Sequence, residues 1–446
     1  MSHNSRLNKL LIGGIDVLIY LACFFIAVFI RFGSSIPSSG WEAVLQMLPW
    51  FVIVFITLAV IYDLYSEYTK YDEIIVSIGC LLIVAMLTEI ALSFLFRQFA
   101  FPRTIFLISA ILQFILLSIW RYIVWRQALL IKEPRRAVII GYSGEIRRLL
   151  GSINVNLSRG LKVVLEIRLN SKDHNFDDSW NKFLSTQMAE GIDFVIVCSS
   201  VGYFERSVIM EYCIESQKSL VLVPNTYEIL LQNARLISAG DVPLVQLTGI
   251  FEKNTTRFVK RFMDICFAVL GLLISAPLMI IIALLIKLDS PGPIIYSQIR
   301  SGLRGKTFKL HKFRTMVKDA EKYTGPILST EGDSRVTRVG KILRKTRLDE
   351  IPQLWNILRG DMSLVGPRPE RPVFVEEFSK DLPEFKYRQQ INGGLTGLAQ
   401  VEGCYSTDPA NKLTYDLIYA QNRSVIMDIV IILKTIKVMF MKGKAS

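Results

Sequence analysis

Four long apolar runs crowd the first third of the chain: about Leu10–Ile30, Val44–Ile61, Ile74–Phe96 and Thr104–Trp125. Each approaches the ~20 residues a helix needs to cross ~30 Å of hydrocarbon at ~1.5 Å per residue. The first is too long for a signal-peptide core and no small-residue cleavage site follows it, so it is expected to be retained. Short loops leave room for little but a bundle of hairpins. Composition agrees: of 446 residues, 51% are hydrophobic and 20% charged, against ~25% charged in soluble domains. A disordered chain, a fibrous repeat and an ordinary cytosolic globule are excluded. The formal net charge of +13 points to anionic partners such as headgroups or phosphates.

Basic residues orient the bundle. Arg6 and Lys9 precede the first run, Lys70 lies between the second and third, and Arg121, Arg126, Lys132, Arg135 and Arg136 cluster at the end of the fourth. The opposite loops hold only Arg31, Arg97 and Arg103. Both ends of the bundle are therefore expected to face the cytoplasm.

After Pro134 the pattern changes. AVIIG at 137–141, FVIVC at 194–198 and LVLV at 220–223 read as buried parallel strands separated by helical stretches, a small doubly wound α/β domain. Gly141-Tyr-Ser-Gly144 looks like a degraded dinucleotide fingerprint, but the full G-x-G-x-x-G is absent. A structural or regulatory role is the expectation there. A fifth apolar run, Ile265–Ile286, has Lys253, Arg257, Lys260 and Arg261 before it and Lys287, Arg300, Arg304 and Lys306 after it. Pro277 sits near its midpoint, two residues after Ser275. A helix broken there, with two basic ends, is expected to enter and leave on the same face; a kinked through-span is the alternative.

The six cysteines form no C-x-x-C pair and the three histidines are scattered, which argues against a disulfide framework or a zinc ribbon. Any metal is expected on carboxylates, hence Mg²⁺, with Mn²⁺ as the other candidate.

From residue 260 the chain carries an ordered series of motifs: HKFRTM at 311–316, LRKTRLDEIPQLWNILRGD at 343–361, SLVGPRPE at 363–370, GGLTGLAQ at 393–400 and YDLIYAQN at 415–422. This series resembles the bacterial polyprenyl-phosphate hexose-1-phosphate transferases, which initiate surface-glycan synthesis, and it covers about 190 residues. The apolar bundle and α/β domain resemble the large members of that family. The expected fold is a membrane protein with a four-helix transmembrane bundle over 1–130 and a Rossmann-like α/β domain over 131–251. A mainly helical catalytic domain follows over 252–446, with a re-entrant helix at 262–288 broken at Ser275 and Pro277.

The residues suit phosphosugar transfer, which needs a nucleophile, a metal against pyrophosphate charge, and cations around the phosphates. Asp349-Glu350 supplies adjacent carboxylates, and Pro352 fits the first position of a new helix, which puts the pair at a helix N-terminus. The resemblance implies that Asp349 is the nucleophile and that Glu350 holds Mg²⁺. Lys312, Arg314, Arg344 and Arg368 match the family's cations; Arg344 and Arg368 are expected at the substrate phosphates, while Lys312 is balanced between the site and the membrane surface. Asp416 matches a further acid, in the site or structural. Pro367 and Pro369 stiffen the backbone around Arg368.

Two departures stand out: Gly393-Gly394 where the family has Pro-Gly, and Gly403-Cys404 where it often has Gly-Arg. The last helix, about Ser424–Met441, has charges at Asp428, Lys434 and Lys437 and reads as lying on the membrane, with a packed core helix as the alternative. The resemblance implies a UDP-sugar donor and undecaprenyl phosphate acceptor at the cytoplasmic face of the bacterial inner membrane, with membrane lipid as a further partner. No nucleic-acid partner is expected, and a homodimer is left open. The rivals are a membrane-bound nucleotide-sugar dehydratase and a non-catalytic scaffold of a glycan assembly complex. The dehydratase would need a second glycine-rich turn and a Tyr-x-x-x-Lys pair, neither of which occurs after residue 250.

Overall fold

The computed structural model describes residues 3–33, 38–66, 70–95, 102–131, 135–156, 161–169, 176–185, 191–247, 254–318, 320, 333–403 and 408–441. They fall into two compact units, Met1–Asn225 and Thr226–Ser446. The second begins upstream of the boundary expected at 252. There Ile229 is buried with Phe385, Leu413 and Leu417, residues far along the chain.

The first unit opens with helices α1 (His3–Phe32), α2 (Ser38–Ile61), α3 (Tyr71–Leu95) and α4 (Arg103–Ile131). Each contains a stretch long and apolar enough to cross a membrane. Aromatic rings fill the space between them: Tyr20 stacks on Phe55 at 4.4 Å between centroids, and Phe24 meets Phe51 edge-on at 5.2 Å. Leu10, Phe29, Val60, Ile83 and Ile111 point outward and are exposed, as lipid-facing side chains would be. Polar groups are turned inward. Arg121 of α4 pairs with Asp16 of α1 and donates to the Leu64 carbonyl at 3.0 Å. Tyr20 donates to Glu89 of α3, and Gln113 of α4 donates to the Tyr20 carbonyl at 3.1 Å. Buried charges in an apolar medium persist only when paired, so these contacts fix which helix faces meet.

The remainder of this unit is β1 (Arg135–Tyr142), α5 (Ser143–Asn156), β2 (Leu161–Leu169), α6 (Phe176–Leu184), β3 (Phe194–Val197), α7 (Tyr203–Glu215) and β4 (Ser219–Leu222). The strands form one parallel sheet in the order β2-β1-β3-β4. Its core is Val138, Ile139, Ile140, Val195 and Val197 under Trp180 and Phe183. Gly141 is required where β1 passes β3, because a Cβ there would lie 2.6 Å from that of Cys198. The turn after it sits at the β1–β3 switch point, where ligands often bind. Glu145, just beyond this turn, accepts from the hydroxyls of Ser199, at 2.7 Å, and Ser200, which follow β3.

The second unit comprises α8 (Thr226–Leu231), the hairpin β5 (Arg235–Ala239) and β6 (Val242–Gln246), and the long α9 (Asn254–Asp289). After it come the hairpin β7 (Ile295–Ser301) and β8 (Thr307–Phe313), then α10 (Arg338–Thr346), α11 (Gln353–Arg359), β9 (Ser363–Val365) and α12 (Pro372–Asp381). The chain closes with β10 (Gly394–Thr396), α13 (Leu398–Glu402), α14 (Pro409–Asn422) and α15 (Val425–Phe440). At Ser275–Pro277, where a break is expected, α9 continues as helix with Pro277 inside it. A mid-helix proline removes one backbone donor and bends a helix without necessarily ending it.

Both halves of α9 nonetheless attach to this unit. Upstream of Pro277, Arg261 donates to the Ile357 and Leu358 carbonyls, and Asp264 accepts from the Leu364 amide at 3.0 Å. Downstream, Ile282 and Ile286 are buried against Phe313 and Leu343. The last helix is packed on one side, since Asp428, Ile431, Lys437 and Val438 are buried. The charge read as an interruption, Asp428, is the buried partner of Lys260 at 2.6 Å. The opposite stripe, Ile426, Ile429, Ile436 and Phe440, is exposed.

Removing one member of the Asp16–Arg121 pair strands the other in an apolar bundle, at a cost of about 3–5 kcal/mol. Asp16→Ala and Arg121→Met should each lower the thermal midpoint in detergent, and the double variant should be more stable than either. Additive losses would show that the pair does not act as a unit.

Candidate active site

The motif LRKTRLDEIP builds a sharp reversal. Thr337 caps α10 by accepting from the Gly340 amide at 3.0 Å. The helix ends at Arg347, which adopts a left-handed conformation with φ of 55°. That conformation is uncommon for a residue with a Cβ. It throws the next residues, Leu348–Glu350, into a single 3-10 turn. Pro352 then precedes α11 as its cap rather than its first residue. Asp349 and Glu350 therefore lie in a tight turn between two helices, with Asp349 buried.

Glu350 is held from two sides. Its Oε1 accepts from Lys312 Nζ at 2.7 Å and from Arg368 Nη2 at 2.7 Å. Lys312 comes from β8, which is locked to α11 by the fully buried Asn356. The Asn356 side chain donates to the Lys309 carbonyl at 2.7 Å and accepts from the His311 amide at 3.0 Å. Arg368 comes from the loop after β9. Burial raises the Glu350 pKa, but Arg368 and Lys312 outweigh it and hold the carboxyl well below the usual range. Asp349 differs. Burial pushes it up, offset only in part by Lys312, and the neighbouring Glu350 charge adds to the rise. No hydrogen bond to the Asp349 carboxylate occurs among the described residues. Burial also lowers the Lys312 pKa, an effect that Glu350 opposes.

Arg344 and Arg347 add charge: Arg344 Nε donates to Thr315 Oγ1 at 2.9 Å, and Arg347 lies within electrostatic reach of both carboxylates. Lys312, Arg344, Arg347 and Arg368 thus surround two carboxylates, an excess of positive charge suited to an anionic ligand.

Other expected residues go elsewhere. Arg314 is buried and turned towards the end of α9, where Nη2 donates to the Ser290 carbonyl at 2.6 Å and to the Ile286 carbonyl at 3.3 Å. It complements a helix C-terminus. Asp416 is buried against Arg388 at 2.8 Å, behind the Arg368 loop. Burial raises its pKa to about 6, against the pull of Arg388. Ser275 lies within α9, its hydroxyl 3.5 Å from the Leu272 carbonyl. Gly393 packs where a Cβ would come within 2.6 Å of Pro369. Cys404 lies outside the described residues.

Arg300, Arg347, Asn356, Glu370 and Arg388 carried no sequence signal strong enough to single them out, although Glu370 closes the GPRPE string. No group of three or more His, Cys, Asp or Glu placed to hold a metal occurs among the described residues. A cation such as Mg²⁺ takes one or two carboxylates and completes its shell with water and substrate phosphate; here those carboxylates would be Asp349 and Glu350.

A tight turn presents adjacent carboxylates among Lys312, Arg344, Arg347 and Arg368, in a unit that also holds a helix long and apolar enough to cross a membrane. Residues 255–442 match the family model described as bacterial sugar transferase. The chain is 43% identical over 195 residues to the UDP-N-acetylgalactosamine-undecaprenyl-phosphate N-acetylgalactosaminephosphotransferase of Aeromonas hydrophila, covering 43% of this chain and 46% of that protein. It is 44% identical over 184 residues to the UDP-glucose:undecaprenyl-phosphate glucose-1-phosphate transferase of Caulobacter vibrioides, covering 40% and 68%. It is 41% identical over 197 residues to the exopolysaccharide production protein PSS of Rhizobium leguminosarum bv. phaseoli, covering 42% and 97%. The match spans about half the length of several curated relatives, 46% and 48% in two of them. The chain belongs to the bacterial sugar transferase family.

The two carboxyls should be chemically distinguishable. Only a protonated carboxyl reacts readily with a hydrophobic carbodiimide. With its pKa raised, Asp349 should remain reactive to higher pH than an ordinary aspartate, and Glu350, held ionised, should stay unlabelled. Lys312→Met removes a charge that lowers the Asp349 pKa, so its labelling midpoint should move up in pH. Equal labelling of both residues in the wild type would contradict these environments.

Proposed function

We propose that the protein transfers a hexose 1-phosphate from a UDP-sugar to undecaprenyl phosphate, releasing UMP, as the first membrane step of surface polysaccharide synthesis. The carrying observation is the asymmetry of the carboxylate pair: Glu350 is clamped by two cations, while Asp349 is left without a hydrogen-bond partner among the described residues.

In this reading an Asp349 carboxylate oxygen attacks the sugar-linked phosphorus of the donor. The bond from that phosphorus to the bridging oxygen breaks, and UMP leaves with the electron pair. An oxygen of undecaprenyl phosphate then attacks the same phosphorus, and Asp349 departs as a carboxylate. Two displacements keep the donor and acceptor anions apart in time. Lys312, Arg344, Arg347 and Arg368 supply the positive field for the transferring phosphate. Arg368 can grip phosphate oxygens bidentately and Lys312 acts as a point charge. Glu350, with Asp349 beside it, would hold Mg²⁺, which when bound offsets pyrophosphate charge.

Attachment of both halves of α9 to one unit, with Pro277 between them, supports a helix that enters and leaves the membrane on one side. A straight helix of 36 residues would extend ~54 Å. The exposed apolar stripe of α15 suits the same surface. A site at a membrane interface suits one water-soluble and one greasy substrate, and the basic flanks of α9 support a cytoplasmic face of the inner membrane for it.

The test is UMP release by purified protein from a panel of UDP-sugars with undecaprenyl phosphate. At least one donor should support release dependent on Mg²⁺ or Mn²⁺. Asp349→Asn should lower the rate by at least roughly 10³-fold at every metal concentration. Glu350→Gln should recover in part at high Mg²⁺. Release of UMP from no donor, or full activity in Asp349→Asn, would refute the proposal.

A further inference from the structure

The loop that carries Arg368 is short of its own donors. Pro367 and Pro369 have no amide hydrogen, so the strand-like pairing available to most loops is missing. Yet four consecutive carbonyls of this loop all find partners. Pro367 accepts from the Gly394 amide at 2.9 Å and Glu370 from the Ser301 amide at 2.9 Å. The middle two are held by arginines: Arg368 accepts from Arg388 Nη2 at 3.0 Å, and Pro369 from Arg300 Nη1 at 3.1 Å. Arg388 is itself almost fully buried, 4% exposed, against an equally buried Asp416 at 2.8 Å. The ring of Phe385 lies under its guanidinium at 4.8 Å.

Burying this charged pair is costly. Two ions removed from water return their desolvation penalty only with good geometry. Here the same Nη2 atom faces both the carboxylate and the Arg368 carbonyl. Asp416 thus pairs by charge with Arg388, which also lies 4.0 Å from Glu370, Arg388 donates to the backbone carbonyl of residue 368, and the side chain of residue 368 reaches Glu350 at 2.7 Å.

We propose that Arg388, oriented by Asp416, is a positioning residue: it aims Arg368 at the Glu350 clamp and at the substrate phosphate, touching neither itself. The inference rests on the transferase reading, through the role given there to Arg368. It assigns Asp416 a place behind the site and gives a role to Arg388.

The test is a set of variants of the full-length protein in the UMP-release assay, with thermal midpoints measured alongside. Misplacing a catalytic group by about 1 Å can cost about 10²-fold in rate. Arg388→Gln should therefore lower kcat/KM by at least about tenfold. In an Arg368→Gln background the same change should cost less than about twofold, because the group it aims is gone. Arg388→Lys, which keeps a charged donor, should recover part of the loss in the wild-type background and none in the Arg368→Gln background. If Arg388→Gln does not fold, Asp416→Asn serves in the same cycle with the same expectation. Losses that multiply in the double variant, or that follow the thermal midpoint and ignore residue 368, would overturn the proposal. Failure of the transferase reading shows separately, as a wild type that releases no UMP, and the inference falls with it.

Discussion

The second unit is organised around one carboxylate oxygen. Glu350 Oε1 accepts from Lys312 on β8 and from Arg368 on the loop after β9, so a single atom ties together three stretches of chain. The clamp also separates two neighbouring acids chemically. Cations hold Glu350 ionised, and burial raises Asp349. Adjacent carboxyls in one turn would otherwise have similar environments. Pushing their pKa values apart is how one site assigns different tasks to like groups.

Everything around the clamp serves to aim it. Asn356 bolts β8 to α11 and so sets the reach of Lys312. Arg347, in its left-handed conformation, turns the chain so that the acids project between α10 and α11. Gly340 lets α10 approach closely, since a Cβ there would lie 2.1 Å from the Thr315 carbonyl oxygen. Arg314 and Lys260 tie opposite ends of α9 to this framework. The long apolar helix α9 is thereby coupled to the elements that hold Lys312, Glu350 and Arg368.

Much of this was legible from sequence, for identifiable reasons. The apolar runs have the length and composition of membrane spans, and Asp349-Glu350 followed by a proline signals the start of α11, beside which both acids lie. Other features were hidden because they depend on partners distant in sequence. Arg314 reads like Lys312 two residues away, yet one reaches a carboxylate and the other a helix end. Asp428 looks like a charge that spoils an apolar helix until Lys260, 168 residues earlier, is seen beside it. Strand β2 has Lys162, Glu166 and Arg168 among its apolar residues and gave no clear alternation. Pro277 was read as a break, and the backbone absorbs it within a continuous helix.

The central claim is that Asp349 itself carries the phosphosugar. Mass spectrometry of enzyme incubated with the UDP-sugar alone, in the absence of lipid, tests it most directly. The account predicts a mass increase of one phosphosugar on the peptide containing Asp349, formed together with UMP in an amount close to that of the enzyme. An adduct mapped to another residue would contradict it. So would rapid turnover with lipid from an enzyme that never acquires the adduct.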